Sequence, residues 1–206
     1  MTGAVLPGRF VALEGGDATG KTTQTARLAD RLRAEGRDVL ATFEPGGTPL
    51  GASLRRLLLD GDVSVEPEAE ALLMAADRAQ HVLEVVRPAL AGGSWVVSDR
   101  FMPSSLAYQG VGRGLGVPAI EIVNGIATGG LEPDLVVVLD LSPDAAIERF
   151  GAARDRLEEE DDAFRLAVHE AYRDLAGTRG WVLLDASGPV DDVESRIWAT
   201  VSEHLG

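Results

Sequence analysis

Residues 15–22 read Gly-Gly-Asp-Ala-Thr-Gly-Lys-Thr, and no other stretch of the chain limits its fold so strongly. Glycine lets a backbone turn until successive N–H groups face one anion. The residues before it, Phe10 to Leu13, form a short apolar run that reads as a buried strand. After it, Ala26, Leu28, Ala29 and Leu32 recur at helical spacing from Lys21 to about Ala34, and Gly36 supplies a stop. Strand, glycine turn and helix together make a phosphate cradle of the Walker A type. The helix adds its positive N-terminal end, Lys21 reaches outer phosphates, and the Thr22 hydroxyl can ligate Mg²⁺. The candidate contacts to a nucleoside triphosphate are Gly15, Gly16, Asp17, Ala18, Thr19, Gly20, Lys21, Thr22 and Thr23.

Asp17 is an unusual residue to find beside a triphosphate. Three roles stay open for it: holding Mg²⁺ through water, touching a sugar hydroxyl of a second substrate, or bonding its own loop backbone. Lys21 is the only lysine among 19 basic residues. In a chain that otherwise uses arginine, a retained lysine marks a place where a compact, flexible ammonium is needed.

The formal net charge is −14, so nucleic acid and anionic membrane surfaces are not expected partners. A phosphorylated small molecule needs only a locally basic site. There is no cysteine, which excludes disulfides and thiolate metal sites. Neither a signal peptide nor a bilayer-length apolar run is visible, and a cytoplasmic location is expected.

Along the chain, apolar runs at 38–43, 94–98, 135–141 and 181–184 read as further strands. Helical patterns separate them: 50–59, 67–90, 118–127, a segment starting at 145, another ending near 175, and 190–204. Pro88 is expected to bend the last turn of the second of these. The glycine-dense stretch 110–116 reads as a loop. Alternation of this kind predicts an α/β fold: a P-loop NTPase three-layer sandwich, one domain with a five-stranded parallel sheet and helices on both faces. Ligands of such sheets sit outside the carboxyl ends of the strands. The loops after Leu13, Phe43, Ser98 and Leu139 should therefore converge.

A phosphate loop alone is shared by motors, GTPases, ATPases and small-molecule kinases. The polar groups at the other strand ends narrow the choice. Glu44, Asp99 and Arg100, with Arg55 and Arg78 on helices and Ser104, Ser105 and Gln109 beyond the third strand, suit a phosphate, a sugar and a base edge. His81, His169 and His204 are too scattered for a metal site and carry no assigned role.

These residues sit in segments that resemble the bacterial thymidylate kinases. The segments are Glu44-Pro45-Gly46-Gly47-Thr48, Asp77-Arg78-Ala79-Gln80-His81, Asp99-Arg100-Phe101, Ser104-Ser105-Leu106-Ala107-Tyr108-Gln109-Gly110 and Asp155-Arg156-Leu157-Glu158. The likeness runs in order from about residue 9 to 186. It implies transfer of the ATP γ-phosphate to dTMP with Mg²⁺, and a homodimer packed through helices. It also implies roles. Arg100, helped by Arg55, would hold the dTMP phosphate, and Arg78 and Gln109 would read the thymine edge. Glu44 would lie near the sugar and the transferring phosphate. Met74, Ser104, Ser105 and Tyr108 would line the acceptor pocket. Asp99 would act with Thr22 near Mg²⁺. A mobile lid near residues 149–160 would bring Arg154 or Arg149 to the triphosphate, with Arg156 close behind. Lys21, Asp17, Arg100, Asp99, Glu44 and Arg154 form the expected catalytic set. The chain departs from the family pattern at Phe43, where arginine is common, and at Met74, where phenylalanine is common. It departs again at Met102-Pro103 and at Gly151-Ala152-Ala153.

The solitary lysine generates a test. Lys21→Arg keeps the charge but not the compact ammonium, so phosphoryl transfer should fall by at least about tenfold while the melting temperature holds. Steady-state kinetics and a thermal melt measure the two sides. Full activity would refute the argument from solitude.

Overall fold

The computed structural model describes residues 8–59, 63–149, 156–157 and 160–206. Among these, five strands form one sheet: β1 (Phe10–Glu14), β2 (Val39–Phe43), β3 (Trp95–Asp99), β4 (Leu135–Asp140) and β5 (Val182–Asp185). Their order is β2-β3-β1-β4-β5, and every pairing is parallel. The central strand β1 is buried along its whole length, as a strand covered on both faces must be.

Alternation along β1 divides the core in two. Val11 and Leu13 point to one face, where they meet Leu28 and Leu32 of α1 (Lys21–Ala34) and Ile197 and Val201 of α9 (Val190–Leu205). Phe10 and Ala12 point to the other. There they meet Val82 and Val86, and also Tyr172 of α8 (Asp162–Arg179). Three layers result, in agreement with the sequence expectation. The chain reverses direction around β1, which opens a crevice at the carboxyl ends of the central strands.

The helix α2 (Pro49–Leu59) matches its sequence pattern. The next, α3 (Pro67–His81), continues through a π-helical turn at Val82–Val86 into α4 (Arg87–Ala91). Pro88 explains the turn. It has no N–H, and its ring collides with the carbonyl four residues back in a regular helix. The wider turn relieves this, and the Arg87 N–H donates to the Val82 carbonyl instead.

Part of the predicted loop at 110–116 is helical. After α5 (Met102–Ser105) the chain stays π-helical from Leu106 to Gly112, and only then turns. Glycine at 112 serves packing: a Cβ there would lie 2.7 Å from the Phe164 ring. The remaining helices are α6 (Val117–Thr128) and α7 (Pro143–Ile147), whose Ser142 cap accepts from the Ala145 N–H. No described helix is long and apolar enough to cross a membrane.

Candidate active site

The phosphate loop joins β1 to α1 through three backbone positions of positive φ: Gly15 at 133°, Ala18 at 55° and Gly20 at 96°. A side chain at Gly15 would also press on the Leu139 carbonyl, 2.6 Å from the Cβ position. The Thr19 hydroxyl donates to the Gly16 carbonyl at 2.9 Å and closes the loop on itself. Lys21 folds back over it, with Nζ 2.5 Å from the Gly16 carbonyl oxygen. Burial, reinforced by the Arg100 charge, pulls the Lys21 ammonium down to about 8. At the start of α1 the Thr22 hydroxyl donates to Asp99 Oδ2 at 2.6 Å. Lys21, Thr22, Thr23, Asp99 and Arg100 face one open cleft of about 760 Å³.

A second, smaller and more enclosed cavity, with about 80 Å³ open to water-sized molecules, lies beside it. Met74, Arg78, Ser104, Ser105, Tyr108 and Gln109 line it, so the structure brings the predicted acceptor residues together. Asp17, Glu44, Arg55 and Arg100 belong to both spaces and mark where they join.

Arg100 is the best-connected of these. Its backbone is left-handed, with φ 71°, and its N–H donates to the Leu13 carbonyl at 3.0 Å. Its guanidinium donates to Asp17 Oδ1, to the Gly15 carbonyl (3.1 Å), to Ser104 Oγ (3.1 Å) and to the Tyr108 hydroxyl (3.3 Å). Asp17 thus pairs with Arg100, a partner outside the three roles weighed from sequence. Arg55 donates to the Pro45 carbonyl at 2.8 Å and stands over the Phe43 ring.

Arg78 is buried, and four of its five N–H groups are already bound: Nε to Glu44, Nη1 to Ser105 and Asn124, and Nη2 to the Phe101 carbonyl. It therefore braces the cavity wall, and one N–H remains for a ligand. Both serines are tied to arginines as well, Ser104 to Arg100 and Ser105 to Arg78. Arg149 donates to the Ala186 carbonyl (3.2 Å) in the loop after β5 and lines neither cavity. Arg156 donates to Glu70 (2.5 Å) and to the Leu58 carbonyl (2.8 Å), beside the enclosed cavity. The structure does not bring Arg156 to the phosphate loop, where the sequence had put it. Arg154 lies outside the described residues.

Several residues that the sequence left unassigned organise the site. Glu14, wholly buried at the end of β1, accepts from the Phe101 N–H (2.7 Å), from Ser104 Oγ (2.6 Å) and from the Tyr172 hydroxyl (2.9 Å). Burial raises the Glu14 carboxyl above its ordinary range against those bonds. His81 Nδ1 lies 2.8 Å from Glu44 Oε1 and Nε2 2.6 Å from the Thr42 hydroxyl. A carboxylate can only accept, so Nδ1 carries a proton. Asp77 accepts from the Gly46 N–H through Oδ1, while Oδ2 has no partner among the described residues. Burial, with the Glu44 charge, pushes Asp77 up to about 6. Glu14 was visible as a carboxylate ending an apolar strand just before the glycines. For Tyr172 and His81 nothing in the local sequence separates them from ordinary core residues.

The parallel sheet, its strand order and the glycine loop at the end of β1 define a P-loop NTPase, and the paired cavities mark a nucleotide kinase among them. The sequence model of thymidylate kinase matches residues 13–197. Proteins named thymidylate kinase from Deinococcus radiodurans and a Synechococcus strain are each 50% identical to this chain, over 95% of it and 97% and 95% of their own lengths. One from Halothermothrix orenii is 45% identical over 95% of this chain and 97% of its own. The chain belongs to the thymidylate kinase family.

The lowered Lys21 ammonium gives a signed prediction. In the free protein it loses its proton as pH rises through about 8. A bound triphosphate favours the charged form and lifts that value. Between the two values nucleotide binding should take up a proton, and affinity should weaken as pH increases. Calorimetric titration with ATP at pH ~9, in two buffers of different ionisation enthalpy, should give different heats. Lys21→Arg, always charged, should give equal ones. Equal heats for the unaltered protein would contradict the assignment.

Proposed function

We propose that this chain transfers the γ-phosphate of ATP to dTMP, giving dTDP and ADP. The observation that carries the reading is the junction of the two cavities at Asp17, Glu44, Arg55 and Arg100. A triphosphate on the loop and a monophosphate in the enclosed cavity would meet there. Membership of the family, and the name its relatives carry, point to thymidylate as the acceptor.

Phosphoryl transfer asks little covalent chemistry of a protein; alignment and charge stabilisation do most of it. Lys21 and the loop N–H groups hold the donor phosphates. Arg100, with Arg55, takes the acceptor phosphate in a two-pronged fork, and Asp17 must yield its place on Arg100 as that phosphate arrives. Glu44 is held by Arg78 and His81 close to the transferring group. Met74 covers one face of the base, and Tyr108, Ser104, Ser105 and Gln109 enclose it. Arg154 is the further cation proposed for the triphosphate; Arg149 would have to leave the Ala186 carbonyl to join it.

Mg²⁺ fits the oxygens present. Thr22 Oγ1 and Asp99 Oδ2 are 2.6 Å apart and open to the cleft, and Mg²⁺ binds through one or two protein oxygens, phosphate and water. When bound it neutralises phosphate charge. Thr22 and Asp99 would hold it, and Lys21 supplies a second positive charge beside it.

A homodimer is part of the same reading. Leu72 and Leu83 on the α3 side and Ile122 and Ile126 on α6 are exposed apolar residues on helices that pack together. A second copy of the chain covering them would remove this surface from water. Ile126→Glu should convert a dimer to a monomer in sedimentation velocity while the circular-dichroism spectrum of the fold is kept, and should abolish any rise of melting temperature with protein concentration; a monomeric unaltered protein would overturn the dimer.

The acceptor is tested directly. A coupled assay for ADP release with dTMP, dUMP, dCMP and thymidine should give the highest kcat/KM with dTMP. Thymidine, which offers Arg100 no phosphate, should be slower by at least about a hundredfold. A better acceptor than dTMP would overturn the proposal.

A further inference from the structure

We infer that Glu70 is a positioning residue that sets the hydrogen-bond polarity of the base pocket. It holds the Gln109 amide with its oxygen toward the cavity, and so selects pyrimidine bases whose N3 carries hydrogen. The inference rests on the thymidylate reading above and deepens it.

Glu70 lies in the first turn of α3 and is wholly buried. Its Oε1 accepts from Gln109 Nε2 at 2.9 Å and from Arg113 Nε at 3.3 Å. Its Oε2 accepts from Arg113 Nη2 at 3.1 Å and from Arg156 Nη2 at 2.5 Å. Burial opposes ionisation, but the bonds from Arg113, Arg156 and Gln109 outweigh it and hold the carboxyl below its usual range. An ionised carboxylate has no hydrogen to donate. Only the amide nitrogen of Gln109 can therefore face it. Turning the amide over would set oxygen against oxygen in a buried place, and two arginines stop Glu70 from relieving that by taking a proton.

The consequence falls on the other side of the amide. Gln109 lines the enclosed cavity, and its oxygen has no protein partner among the described residues. Arg78 lines the same cavity and can only donate. Together they offer a ligand one acceptor and one donor. Thymine and uracil match this pair, with an N3–H to give and a 4-oxygen to receive. Cytosine opposes it twice, since its N3 is a lone pair and its 4-substituent an amine. A site built to meet a ligand's hydrogen bonds rejects strongly an analogue that leaves them unmade. The selectivity comes from Glu70, which never touches the base, because it removes the amide's freedom to turn.

The test is a double-mutant cycle read on the ratio of kcat/KM for dTMP over dCMP. Glu70→Gln can present either end to Gln109, so the ratio should fall by at least about tenfold, through KM more than kcat. The ratio of dTMP to dUMP should stay within about twofold, since both bases carry N3–H. Gln109→Met keeps the volume and should lower the dTMP to dCMP ratio similarly. Added to Gln109→Met, Glu70→Gln should change it less than about twofold, because the amide it positions is gone. A folded Glu70→Gln protein with an unchanged ratio overturns the inference, as does an equal loss in both backgrounds. Should Glu70→Gln fail to fold, Gln109→Met decides alone, and a retained ratio overturns the inference. Failure of the thymidylate reading is distinguishable, since the unaltered enzyme would then prefer another acceptor before any variant is made.

Discussion

The site depends on keeping Arg100 charged, partly shielded from water and aimed. A guanidinium taken out of water costs several kcal/mol unless its N–H groups and its charge are answered. Here Asp17 answers the charge, and the Gly15 carbonyl, Ser104 and Tyr108 answer the N–H groups. Glu14 stands behind them. By accepting from Ser104 and Tyr172 it fixes two hydroxyls beside the guanidinium, and by accepting from the Phe101 N–H it fixes the backbone just after the left-handed residue 100. A position where most side chains are strained is thus held from both ends.

The sheet makes this arrangement rigid. Glu14 and Asp99 end the neighbouring strands β1 and β3, and Arg100 follows directly; the two strands pair in register from Phe10 with Val96 to Leu13 with Asp99. The phosphate loop and the Asp99-Arg100 turn therefore cannot shift independently. The Arg100 N–H on the Leu13 carbonyl extends the same ladder by one more bond. A chain with a net charge of −14 can bind a polyphosphate because Lys21, Arg55 and Arg100 converge on these strand ends, where Arg100 also pairs with Asp17 and Arg78 with Glu44.

Local pattern carried most of the fold. Apolar runs located all five strands to within a residue or two, and the glycine loop located the nucleotide end. The failures have a common cause. Glycine density at 110–116 reads as a loop, yet Gly112 is small because Phe164, far along the chain, lies against it. Arg78 suits a base edge by its chemistry, but its segment carries no sign that four of its donors also hold Glu44, Ser105, Asn124 and the Phe101 carbonyl. Tyr172 and His81 carry no signal in the sequence, and both are buried, but each also aims a polar atom at a site residue. In every case the deciding partner is distant in sequence, where periodicity and spacing carry no signal.

Charge also explains why an amide can read a base here. Met74, which lines the enclosed cavity, is flexible and apolar and has no hydrogen bond with which to tell one pyrimidine from another. Discrimination must come from groups whose polarity cannot adapt. Arg78 qualifies by chemistry, since a guanidinium never accepts. Gln109 does not, because a free amide serves equally well with either end. It acquires a fixed polarity only by standing against Glu70, which is anionic because Arg113 and Arg156 surround it. Arg156, placed by sequence at the triphosphate, thus contributes from the other substrate's side. It helps to keep a buried carboxylate ionised, and that carboxylate gives a neutral glutamine the directional character of a charged reader.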